Sequence, residues 1–194
     1  MVFNVIDQGD LTDDATPVDS HPSVLIAPEV VHLSRFANSY KLYPDPIHPT
    51  SVSLCQHNAD VAKRLQRHSL ARMWRMVSSL LRGAGVNQLP IDTSNPKNAL
   101  QFALLPTVRD LLEERANVGD VQTCVALCEI LCVLSDASDS TETHVPGLDL
   151  ELVREWYLSY IDILHQMCLF SNASALIRLC KDPIIGALNQ QSTM

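Results

Sequence analysis

From residue 50 onward, apolar side chains recur every three or four residues, which is the spacing of an amphipathic α-helix. The clearest stripe runs through residues 69–82 and consists of Leu70, Met73, Trp74, Val77, Leu80 and Leu81. Gly83 and Gly85 follow it, and glycine is the residue that most often ends a helix. The pattern therefore predicts an all-α chain.

The apolar stripes pair the predicted helices into three hairpins. These are 51–66 with 69–82, 107–117 with 120–134, and 149–169 with 171–181, followed by a short turn at 184–188. Asp120, Asp149 and Ser171 are suited to cap helix N-termini. The second helices begin about fifty residues apart, which is typical of stacked hairpins in an α-solenoid. A closed helical bundle is the alternative.

The inward stripes define a candidate core. The helix predicted at 121–134 is apolar nearly all round, so it belongs in the middle of the helices, covered on several sides. The candidate core residues are Leu70, Trp74, Val77, Cys124, Cys128, Cys132, Trp156, Tyr160 and Leu164.

The first 49 residues differ from the rest because six prolines interrupt them. Proline fixes φ and removes a backbone donor, so long helices are not expected there. We predict a Pro-rich, acidic and mostly irregular arm at 1–49, flexible over 1–29, and an α-helical solenoid at 50–194. The sequence leaves open whether residues 30–42 form a short helix or a strand.

Charge is unevenly distributed over a chain whose formal net charge is −8, a value that argues against general nucleic-acid binding. Residues 47–89 carry six Lys and Arg but only Asp60 as an acid. Most such basic helices are simply solvated. The acidic range 1–34, which has no Lys or Arg, could lie over these basic helices, or each region could face a partner. The basic helices are still the best candidates for contacting an acidic partner or an anionic membrane surface. The candidate partner surface consists of Arg67, Arg72, Arg75 and Arg82.

Length and composition limit the classes of protein to which the chain can belong. A chain of 194 residues, 46% of them apolar, can bury a core without disulfides or metals. The longest nearly apolar run, 123–134, is too short to span a bilayer. The N-terminus lacks the basic start and apolar core of a secretory signal. We therefore expect a cytosolic chain whose six cysteines are reduced.

Few residues suggest a catalytic, redox or metal-binding site. Cys124, Cys128 and Cys132 stand at i, i+4 and i+8 and suggest a metal or redox site, but buried cysteines also pack as small apolar residues. Zinc sites usually use C-x-x-C pairs, and none occurs here, so core packing is favoured. The segment 57–60 (HNAD) is expected to tie helices together, with Asn58 facing inward. Phosphate-loop, dinucleotide and hydrolase motifs are missing. We predict no enzyme, catalytic residue, cofactor or metal.

Several segments carry a resemblance to a known family. They are LCQHNADVA at 54–62, RMWRM at 72–76, VRDLL at 108–112, GDVQTCV at 119–125, WYLSYIDIL at 156–164 and ALNQQST at 187–193. With these segments the chain resembles, over about residues 50–194, the helical region of the WD repeat-containing protein 24 family. Members of that family are subunits of the GATOR complex, called the SEA complex in yeast.

This resemblance implies a scaffold without catalytic residues, in a complex that relays amino-acid sufficiency to the TOR kinase at the lysosomal or vacuolar surface. The implied partners are other WD-repeat and solenoid subunits, and membrane association would be indirect. The family's propeller and zinc modules have no counterpart here, because the chain has no Trp-Asp dipeptide and no clustered Cys/His pairs. We therefore expect a fragment or a truncated relative.

Overall fold

The computed structural model describes residues 28–85, 99–134, 143 and 145–191. Within these residues every regular element is a helix, so the predicted all-α class is confirmed. The helices are α1 (Pro28–Ser39), α2 (Ser51–Arg64), α3 (His68–Ala84), α4 (Ala99–Asn117), α5 (Val121–Leu131), α6 (Leu150–Gln166), α7 (Phe170–Leu179) and α8 (Pro183–Gln191).

The three predicted hairpins are present as α2–α3, α4–α5 and α6–α7. Each hairpin packs on the next along the chain, through α3 against α4 and α5 against α6, and α2 also contacts α5. Helix α5 is thus surrounded by α2, α4 and α6, as its nearly uniform apolar surface predicts. Packing on several sides removes this surface from water and stabilises the fold.

The N-terminal part of the described chain belongs to the core. Pro28–Ser39 forms helix α1, and Phe36, Ala37 and Tyr40 are buried. Tyr40 accepts a hydrogen bond from Trp74 Nε1 (3.0 Å), and the two rings pack edge to face. A boundary at residue 49 therefore does not separate an irregular arm from the helices among these residues. Residues 1–27 of the predicted arm lie outside the described residues.

Helix α1 also reaches the third hairpin. Asn172 Nδ2 in α7 donates a hydrogen bond to the Ala37 carbonyl at 2.8 Å. A groove of about 330 Å³ separates the segment 40–45 from α6 and α7 beside this bond. The N-terminal segment thus contacts both the first and the third hairpin.

Three predicted helix ends differ from the structure. Helix α4 begins at Ala99 rather than at residue 107 and continues through Pro106, which removes one backbone hydrogen bond; buried Leu104, Leu105 and Val108 hold that turn in place. Helix α5 ends three residues early because Cys132 adopts the left-handed conformation with φ 54°. The predicted turn at 184–188 is a full helix, Pro183–Gln191.

The N-terminus of α7 also differs from the prediction. The helix begins at Phe170, and Leu169 takes the N-cap position without a side-chain hydrogen bond. Ser171 is therefore inside the first turn and does not cap the helix. Asp120 and Asp149 cap α5 and α6 as predicted, accepting hydrogen bonds from Thr123 and Glu151 N–H groups.

Most candidate core residues are buried. Cys132 differs, being only partly buried, because it follows the end of α5 instead of continuing its stripe. The residues that lie in the core are Leu70, Trp74, Val77, Cys124, Cys128, Trp156, Tyr160 and Leu164.

Candidate interaction surface

Helix α3 separates an apolar face from a basic one. Its buried stripe, which includes Leu70, Trp74 and Val77, packs into the core and fixes the rotation of the helix. The opposite side points to solvent. We call this side the basic face; it consists of Arg72, Arg75, Met76, Ser79 and Arg82, all of them exposed.

The arginines of the basic face have no described acidic partner. Within the part of the chain that the structure describes, no carboxylate lies within 4.0 Å of Arg72, Arg75 or Arg82. By contrast, Arg109 and Arg154 each pair with two acids. Met76, which is 43% exposed, lies among the three arginines. Unpaired charge around an exposed apolar side chain suits a protein partner of opposite charge.

Arg67 occupies a different place from the other three arginines. It lies in the α2–α3 turn, beside a cavity of about 560 Å³ between that turn and the α4–α5 turn. Arg115 lines the same cavity, and its buried Nε has no hydrogen-bond partner among the described residues. The Asp120 side chain at the cavity edge accepts the Thr123 N–H. Three of the four predicted arginines thus share one face of α3, and Arg67 lies apart from them in the turn.

A second polar site lies between α5 and α6, where Glu129 is partly buried, and it was not predicted. Glu129, the acid within apolar α5, accepts a hydrogen bond from Tyr157 Oη of α6 at 2.7 Å. Burial raises the pKa of Glu129 to about 7, and hydrogen bonding to Tyr157 opposes part of that rise. Tyr43, Cys132 and Lys181 line a cavity of about 150 Å³ beside this carboxyl. Its partners come from distant parts of the sequence, so helical periodicity gave no signal for it.

The cysteines of α5 lie in the core. Burial raises the pKa of Cys124 to about 12 and that of Cys128 well above the ordinary range of a thiol. A thiolate is the form that binds metals and attacks electrophiles, so burial disfavours both reactions at these two positions. Within the described residues, no group of three or more His, Cys, Asp and Glu side chains is arranged to hold a metal ion.

The segment 57–60 ties helices together, as the sequence predicts. Asn58 is fully buried, and its amide both accepts from the Lys41 N–H (2.9 Å) and donates to the Lys41 carbonyl (3.0 Å). His57 Nε2 lies 3.0 Å from the Ser39 carbonyl and donates to it. These bonds fasten α2 to the chain that follows α1. Their role is positional, since they hold Tyr40 against Trp74.

No helix in the described ranges combines the length and apolarity needed to cross a bilayer. No protein-family model matches the chain.

Individual relatives do match it. A GATOR2 complex protein, WDR24, from Gallus gallus is 36% identical over 107 residues, which are 55% of this chain. The human WDR24 is 31% identical over 116 residues, 54% of this chain. The chain is similar to part of WDR24. The WDR24 of Dictyostelium discoideum is also similar, with 29% identity over 93 residues, which are 48% of this chain.

These matches confirm the resemblance inferred from the sequence. They cover 12%, 13% and 8% of the three WDR24 proteins, so the chain corresponds to a small part of each.

Proposed function

We propose that this chain is a non-catalytic scaffold segment of a GATOR2-type complex that regulates TOR kinase signalling in response to amino acids. The similarity to WDR24 proteins, which are GATOR2 complex proteins, supports membership of such a complex. The all-helical architecture and the polar groups used to fasten helices support an assembly role. The complex would bring the chain to the cytosolic face of the lysosome or vacuole.

The observation that carries the scaffold proposal is the basic face of α3. Three exposed arginines without a described acidic partner surround an exposed methionine on a helix whose other side is fixed in the core. Arginine and methionine are enriched at protein interfaces, whereas lysine, which predominates on ordinary solvated surfaces, is depleted there. The partners would be other subunits of the complex.

Affinity purification tests this function. The tagged chain is expressed in cells of its own source, and co-purifying proteins are identified by mass spectrometry. The wild type should recover GATOR2-type subunits, and Arg72→Glu with Arg75→Glu should recover at least about tenfold less, because like charges would then face the partner. Arg35→Glu with Arg178→Glu, which changes exposed arginines of α1 and α7 by the same charge, is the matched control.

Two results would contradict the proposal. Recovery of no GATOR2-type subunit by a helical, monodisperse wild type would remove the assignment to the complex. Equal recovery by both double variants would remove the basic face as the docking site while leaving membership intact.

The same arginines support a second candidate function, binding to an anionic membrane surface. Basic side chains beside an exposed apolar residue are attracted to acidic lipid head groups. Cosedimentation with phosphatidylserine vesicles measures it. Binding that disappears in Arg72→Glu with Arg75→Glu, but not in the matched control, would favour this function over a protein partner.

A further inference from the structure

We propose that the basic face of α3 docks, in antiparallel orientation, on α6 of a second copy of this chain. The proposal rests on the assembly function and names a partner for the same surface. It depends on an acidic helix face whose charges are opposite to those of α3 and whose exposed leucine corresponds to the exposed methionine of α3.

The complementary surface is the solvent side of α6, which we call the acidic face. Glu155, Leu158, Ser159 and Asp162 recur at helical spacing and are all exposed. Leu158 is 43% exposed, the same fraction as Met76 in the basic face. Within the described residues, no basic group lies within 4.0 Å of Glu155 or Asp162. Both helices thus present charges without a described partner beside an exposed apolar side chain.

The two faces match when the helices run in opposite directions. If Met76 packs on Leu158, then Arg72 lies opposite Asp162, because each is four residues from the apolar contact.

The same register places Ser79 opposite Glu155. Arg75 precedes Ser79 by four residues and Arg82 follows it by three, so they lie one helical turn on either side of that carboxylate. Because both helices rise about 1.5 Å per residue, these matches hold along the whole face.

The partner helix must come from another chain. Helices α3 and α6 belong to the first and third hairpins, which the second hairpin separates, and they do not appear among the helix pairs that pack closely on each other. A face of one copy that meets a different face of the next makes a heterologous contact, which leaves one α3 and one α6 available at the ends.

The net charge of −8 opposes association in general. At physiological ionic strength, however, charges more than about 8 Å apart are largely screened. Charges in direct contact are screened less and therefore decide the outcome.

Exchange of charges between the faces tests the proposal. The first variant of the full 194-residue chain carries Arg72→Glu and Arg75→Glu, and the second carries Glu155→Arg and Asp162→Arg. In the first variant α3 and α6 are both acidic, and in the second both are basic, so neither variant should self-associate.

An equimolar mixture of the two should associate. In the mixture, the now acidic α3 of the first variant can pair with the now basic α6 of the second. The unchanged α3 of the second variant can also pair with the unchanged α6 of the first. A restored interaction cannot arise from misfolding of either variant.

Analytical ultracentrifugation at about 0.1 M salt, where screening leaves contact charges effective, provides the readout. We expect concentration-dependent association of the wild type, at least about tenfold weaker association of each variant, and recovery in the mixture. Arg35→Glu with Arg178→Glu should associate like the wild type. Circular dichroism of each variant verifies its helicity.

Three outcomes would overturn the proposal. They are a wild type that is monomeric up to about 100 µM, association that both variants retain, and a mixture that does not recover. Binding of phosphatidylserine vesicles by a monomeric wild type, lost in the first variant, would assign the basic face to lipid instead. If the chain is monomeric but still captures GATOR2-type subunits from cells, the assembly function stands and only the second-copy partner fails.

Discussion

Replacing Glu129 with glutamine should change how stability depends on pH. The carboxyl is partly buried between α5 and α6, and this burial raises its pKa from the ordinary value of 4.5 to about 7. An unfolded chain therefore releases this proton above about pH 4.5, whereas the folded chain keeps it until about pH 7. Because the folded state binds more protons in this window, the free energy of unfolding falls as pH rises through it.

The size of the effect follows from the two pKa values. The full difference corresponds to about 3 kcal/mol, and the part lost between pH 5 and pH 8 is about 2.5 kcal/mol. Glutamine has the same shape, stays neutral at every pH and can still accept the Tyr157 hydrogen bond. Glu129→Gln should therefore become more stable relative to the wild type by about 2.5 kcal/mol between pH 5 and pH 8.

Urea unfolding of both proteins at pH 5, 6, 7 and 8 measures this difference. Contributions from all other titrating groups cancel when the variant is compared with the wild type at each pH. A Glu129→Gln difference that varies by less than about 0.5 kcal/mol over this range, the size of a surface effect, would refute the burial of an acid at this position.

Three further measurements test other contacts. Tyr40→Phe should lower the free energy of unfolding by about 1–3 kcal/mol, because it leaves Trp74 Nε1 buried without an acceptor; an unchanged urea midpoint would contradict this packing. Trp156→Ala should lower the free energy of unfolding by about 3–5 kcal/mol in the same assay, since the residue is 4% exposed; a loss below about 0.5 kcal/mol would place it at the surface. Iodoacetamide should modify exposed Cys168 in the folded chain, whereas Cys128 should react only after unfolding; peptide mapping that finds both equally modified would contradict the described core.

Helical periodicity was sufficient to predict the three hairpins because each buries one apolar stripe against its neighbours. It also placed Trp74 and Trp156 in the core. Local rules were less reliable at helix ends. The predicted start of α4 at residue 107 was wrong, because buried Leu104 and Leu105 hold the helix together from Ala99 through Pro106. Cys132 ends α5 in a left-handed conformation, which favours glycine and is not expected of cysteine.

Contacts between distant residues could not be predicted from one sequence. The prolines around α1 favoured an irregular arm, whereas the burial of Phe36 against Tyr40 and of Tyr40 against Trp74 orders that segment. The candidate surface was partly predictable, because exposed positions of α3 follow from its buried stripe. The separate placement of Arg67 was not predictable, since it depends on the turn between α2 and α3.

The hydrogen bond between Asn172 and Ala37 joins residues 135 positions apart in the sequence. In a stack whose hairpins contact only their neighbours, the ends can open while the middle stays folded, so cooperativity is partial. Here the N-terminal segment contacts the first and third hairpins, and opening either end breaks contacts that hold the other. The helical body should therefore unfold in a single all-or-none transition, and a partner bound to one hairpin should stabilise them all.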